Sequence, residues 1–67
     1  MKNYQHWSTD ALEARKIYLY GDIDQYESLL INAKSALFRI SLSHYIKKAK
    51  EEIRAIDAEL CYREHNG

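Results

Sequence analysis

The sequence predicts an all-α fold, a helical hairpin whose turn lies near residues 41–43. Three observations predict it. Proline is absent and the only glycines are Gly21 and the terminal Gly67, so the signals that punctuate turn-rich β structure are scarce. Apolar residues recur at spacings of three and four through both halves of the chain, the period of a helix with one buried stripe. That stripe then changes phase between Ile40 and Leu42.

The first helix is expected to begin at Ser8, a good N-cap, with Trp7 before it and Leu12 placed to close a hydrophobic staple. From there Leu12, Leu19, Ile23, Tyr26, Leu30, Ala33, Leu37 and Ile40 follow one another at spacings of 7, 4, 3, 4, 3, 4 and 3. Lys16 holds the one heptad position that is not apolar. At 3.6 residues per turn all eight fall within an arc of roughly 100°, a single coiled-coil-like seam.

The second half has its own seam of Leu42, Ile46, Ala49, Ile53, Ile56 and Leu60, with Tyr45 alongside. In one straight helix the two seams would point about 140–150° apart. A reversal at 41–43 removes the conflict, because each helix can then turn its stripe toward the other; Ser41 would cap the second helix, with Ile40 and Tyr45 as the staple pair. Gly21-Asp22 is the rival break, since Asp24-x-x-Glu27 reads as a capping box. A break there gives a three-helix bundle. Against it, the heptad phase passes through Gly21 undisturbed, and a glycine inside a helix costs only about 1 kcal/mol.

Sixty-seven residues make one domain, residues 1–67, and a chain of this size buries only about 60% of its unfolded surface. Its single cysteine, Cys61, closes no internal disulfide, and no Cys/His spacing of a zinc finger occurs, so self-association is the expected source of extra stability. The lone thiol and the lack of an apolar run near the roughly 18 residues of a membrane span predict a soluble cytoplasmic protein. Ten basic residues balance ten acidic ones, which excludes a bulk electrostatic pull toward nucleic acid or anionic membrane. Residues 1–6 and 65–67 are expected to be disordered tails.

A turn at 41–43 makes arms of unequal length. Trp7, Leu12 and Leu19 then project beyond the short arm, and Tyr20, Ile31 and Phe38 lie off the main seam. These six residues form the candidate protein interface, since apolar surface left uncovered usually marks a contact. Homodimerisation into a four-helix arrangement is the simplest cover. The plainer alternative for the aromatic residues is ordinary core packing.

Groups that could do chemistry are few. Cys61 and His65 stand four apart on one helix face, but no further ligands complete a metal site, and a terminal turn offers no pocket for a nucleophile and its base. Asp22, Asp24 and Glu27 lack the ligand spacing of a calcium loop. No cofactor, metal or catalytic residue is expected. Lys47, Lys50 and Arg54 share a strip opposite the second seam and are candidates for nucleic-acid contact, although Lys47–Glu51 and Lys48–Glu52 pairs describe a solvated face equally well.

Taken together, "HWSTDALEARK", the seam through "YESLLINAKSALFRI" and "HYIKKAKEEIRAIDAEL" resemble the small helical early-region proteins of temperate, lambda-type phages. The likeness spans residues 6–60. It implies a regulatory protein that acts by binding, in the host cytoplasm, rather than by chemistry. The expected function is a non-enzymatic helical adaptor that pairs with itself and with another protein; the alternative is a nucleic-acid-binding hairpin.

Overall fold

The computed structural model describes residues 4–66, apart from the side chain of Asn66. Two helices fold into an antiparallel hairpin: α1 spans Thr9–Asn32 and α2 spans Ala36–Asn66. Among the described residues there is no strand.

α1 starts where the sequence indicates. Ser8 has extended backbone angles, φ −67° and ψ 156°, its hydroxyl accepts from the Ala11 N–H at 3.1 Å, and its carbonyl accepts from Leu12. These bonds satisfy amides that the first turn of a helix leaves without partners. The helix continues unbroken through Gly21, which excludes the three-helix alternative. Nothing lies within 4 Å of the place a Cβ would take at Gly21, so the glycine serves no close approach.

The hairpin turn is eight residues earlier than the phase change suggested. It consists of Ala33, Lys34 and Ser35, and Ser41, Leu42 and Ser43 lie inside α2. Ala33 leaves the helical region at ψ 129°, with its N–H donating to the Leu30 carbonyl at 3.3 Å. Ser35, rather than Ser41, caps α2: its carbonyl accepts from the Arg39 N–H at 3.0 Å and its hydroxyl from Phe38 at 3.4 Å.

Packing explains the shift. Residues on opposite arms meet when they are equally far from the turn, and a turn at 33–35 brings Ile56 and Ile53 level with the start of α1. Leu12, Leu19 and Ile23 are buried against Ile46, Ala49, Ile53 and Ile56, and Leu42 is buried near the turn. Tyr26, Leu30 and Leu60 pack against this core. Leu37 and Ile40 lose their place in the seam and stand on the outer side of α2. Burying two leucines at the start of α1 and exposing an isoleucine and a leucine near the turn is roughly an even exchange, at about 1.5–3 kcal/mol each. The balance is tipped by Tyr4 and Trp7, which join the core only because α2 extends far enough to meet them.

Only part of each expected tail is described. Tyr4 is buried on the hairpin, with Gln5 and His6 exposed beside it, and α2 runs through residues 65–66; residues 1–3 and 67 lie outside the described residues. The result is one layer of two helices, 48 × 19 × 16 Å. Its radius of gyration is 14.4 Å, against about 11 Å for a compact 67-residue domain.

Two substitutions test this architecture. Ser41→Pro should cost about 3 kcal/mol or more in urea unfolding, because proline removes a hydrogen bond inside α2; at a turn it would be tolerated. Gly21→Ala should stabilise the protein by about 0.5–1 kcal/mol, raising Tm by several degrees, since the helical backbone and free space around Gly21 both accommodate a methyl group.

Candidate protein interface

At 100° per residue each helix has two flanks beside its buried stripe, and the hairpin therefore has two broad faces. One carries Arg15, Asp22, Tyr26 and Leu29 from α1 with Phe38, Tyr45, Lys48, Glu52 and Arg63 from α2. The other carries Tyr20, Asp24, Glu27 and Ile31 with Ser43, Lys47, Lys50 and Arg54.

Residues 4–8 cross the first face at the end remote from the turn, held by two arginines. Arg63 donates from Nη2 to the carbonyl of Trp7 at 2.6 Å and to that of Tyr4 at 3.1 Å, from Nη1 to Thr9 Oγ1 at 3.1 Å, and from Nε to Glu59 at 2.8 Å. Arg15 grips Glu52 through Nε at 2.9 Å and Nη2 at 3.2 Å, and the Tyr4 hydroxyl donates to the same carboxylate at 2.8 Å. Trp7 meets Tyr4 edge-on, with ring centroids 5.2 Å apart. Charge-assisted bonds of this forked geometry are among the stronger polar contacts. Burial, followed by the bond and charge of Glu52, pushes the Tyr4 phenol up to about 12. The Arg15 guanidinium is held above its ordinary value mainly by the bond to Glu52.

Toward the turn, the same face is uncovered. Tyr26 stacks on Tyr45 across the two helices at 5.8 Å, and Leu29 and Phe38 stand partly exposed beside them. On the opposite face, Glu27, Leu30, Ser43, Ile46, Lys47, Lys50, Glu51 and Arg54 line a groove of about 580 Å³. Lys16 pairs with Asp57 across the hairpin, a contact that raises the lysine above its usual value.

The six residues expected at an interface divide. Leu12 and Leu19, 0% and 3% exposed, are spent in the hairpin core, because the earlier turn lets α2 cover them. Trp7 is half-buried on Tyr4. Tyr20, Ile31 and Phe38 are exposed, though on different faces. The sequence reading missed Ile17, Leu37 and Ile40, which are 73%, 79% and 67% exposed. The signal for the last two was the phase change itself, which marks them as lying off the α2 stripe if Ser35 is taken as the cap.

Lys47, Lys50 and Arg54 do share a strip, but Glu27 and Glu51 line the groove with them. Cys61 and His65 are exposed, and no group of three His, Cys, Asp or Glu side chains among the described residues is arranged to hold a metal ion. No described helix is long and apolar enough to cross a membrane. The molecule belongs to the class of antiparallel two-helix hairpins. Compared with known protein families, curated proteins and solved structures, the chain matches none of them.

The Tyr4 contact gives a pH signature. The folded phenol keeps its proton to about pH 12 and the unfolded one loses it near 10, so the folded state binds more protons between these values. Its contribution is present below pH 10 and declines as pH rises to about 12. The raised Lys16 acts in the same direction, so the diagnostic quantity is a difference. Chemical denaturation from pH 9 to 12 should show a steeper fall for the wild type than for Tyr4→Phe.

Proposed function

We propose that this protein is a small, non-enzymatic helical adaptor or regulator that binds another protein with the turn end of its hairpin. The observation that carries the reading is the exposure of Ile31, Leu37 and Ile40, at 84%, 79% and 67%, within ten residues around the turn. Apolar side chains this exposed and this closely grouped in sequence are the usual anchors of a protein contact. Short helical connections also keep such anchors rigid, which lowers the entropy lost on binding.

A cytoplasmic regulatory role, of the kind found among the small helical phage proteins the sequence resembles, fits a module that recognises without chemistry. The nucleic-acid alternative rests on Lys47, Lys50 and Arg54. It is less favoured because the carboxylates of Glu27 and Glu51 share their groove and repel phosphate.

The test is capture from cell lysate by the immobilised chain and by an Ile31→Glu/Leu37→Glu/Ile40→Glu variant. All three side chains are exposed, so circular dichroism should be unchanged. The wild type should retain a discrete protein that the variant does not. Identical capture by both overturns the reading. Salt-sensitive binding to a short duplex, lost in Lys47→Glu, would replace it with the nucleic-acid one.

A further inference from the structure

We infer that the uncovered, turn-side half of the face crossed by residues 4–8 is a homodimer contact, occupied by the same patch of a second copy. Its apolar centre consists of Tyr26, Leu29, Phe38 and Tyr45, beside the half-buried Ala33. This surface is separate from Ile31 and Ile40, and the inference stands whether or not the turn end binds another protein.

The surface area of this elongated hairpin is sufficient for a second layer. The chain exposes 5409 Å², whereas a folded monomer of 7.9 kDa is expected to expose about 4,400 Å². The excess of about 1,000 Å² is close to the roughly 800 Å² that each partner buries in a standard interface. The covered and uncovered halves of this face explain where that layer would lie. Tyr4 and Trp7 supply apolar cover at one end, and among the described residues no segment outside the two helices supplies it over Tyr26 and Tyr45.

Charge selects a second copy and its orientation. Asp22 on α1 and Lys48 on α2 border the patch on its two sides, and among the described residues neither is in an ion pair within the chain. They lie at the same level of the hairpin, in the register that sets Tyr26 against Tyr45. Two hairpins facing each other have two possible twofold axes. An axis across the helices lays α1 on α1 and α2 on α2. An axis along the helices lays α1 on the partner's α2 without axial shift, which brings Asp22 to the partner's Lys48 twice. The second arrangement turns both lone charges into pairs, centres the aromatic side chains, and sets the two turn ends side by side. Residues 4–8 stand on the remainder of the face and confine the contact to the turn-side half.

Sedimentation equilibrium of the full chain, with helicity followed by circular dichroism, tests this. The wild type should show a mass near twice 7.9 kDa at micromolar concentration. Phe38→Glu should leave a helical monomer. Asp22→Lys and Lys48→Glu should each weaken dimerisation tenfold or more, and the double variant should regain most of that loss. Lys47→Glu, one residue away on the other face, should have no effect. A wild type that remains monomeric at millimolar concentration overturns the inference. So does a dimer indifferent to Phe38→Glu, or one in which neither single charge reversal weakens association, the outcome expected if like helices face each other. Capture of another protein through Ile31, Leu37 and Ile40 is scored in its own assay, so either result can fail alone.

Discussion

One apolar seam, a single side chain deep, holds the molecule together. Leu12, Leu19 and Ile23 meet Ile46, Ala49, Ile53 and Ile56, and among the described residues outside the helices only Tyr4 and Trp7 pack on them. A hairpin has only one shared surface, so every residue in it is committed, and the apolar residues outside it that Tyr4 and Trp7 do not cover are left to solvent or to a partner. This constraint accounts for the elongated shape and for the ten large hydrophobic side chains that remain exposed. It also fixes the turn, because only a reversal at 33–35 puts the start of α1 under the far end of α2.

The polar contacts extend that seam rather than replace it. Arg63 and Arg15 act on the same short segment from different helices, one through backbone carbonyls and the other through Glu52 and the Tyr4 hydroxyl. Surface ion pairs contribute little when isolated. Here they fix residues 4–8 so that Tyr4 and Trp7 cover apolar surface that two helices alone would expose. A segment without regular structure thus becomes part of the core through the arginines of the helices beneath it.

The proposed function rests on what this packing leaves over. The turn displaces Leu37 and Ile40 from the expected seam to the outer side of α2, within ten residues of the exposed Ile31. The segment before α1 covers one half of a broad face and leaves an aromatic half bare. The partner protein proposed at the turn and the second copy inferred on the face are compatible occupants, and the inferred dimer geometry would present two turn ends together. The resulting two-fold presentation increases effective affinity for any partner that is itself repeated.

The sequence by itself determined the helical class, the start of α1 at Ser8, the continuity through Gly21 that its heptad phase favoured, and every residue of the α2 stripe from Leu42 to Leu60. Each of these depends on local capping or on the 3.6-residue period, and both are visible along the chain. The tertiary structure decided where the chain reverses, and with it the fate of Leu12, Leu19, Leu37 and Ile40. Ser35 and Ser41 are comparable caps when judged locally; they differ in which distant side chains they bring level. Likewise Tyr4 has no periodic pattern to mark it, and its burial depends on Glu52 and Arg63, some fifty residues away. Those choices were set by the combined burial of both arms, a quantity no local window of sequence contains.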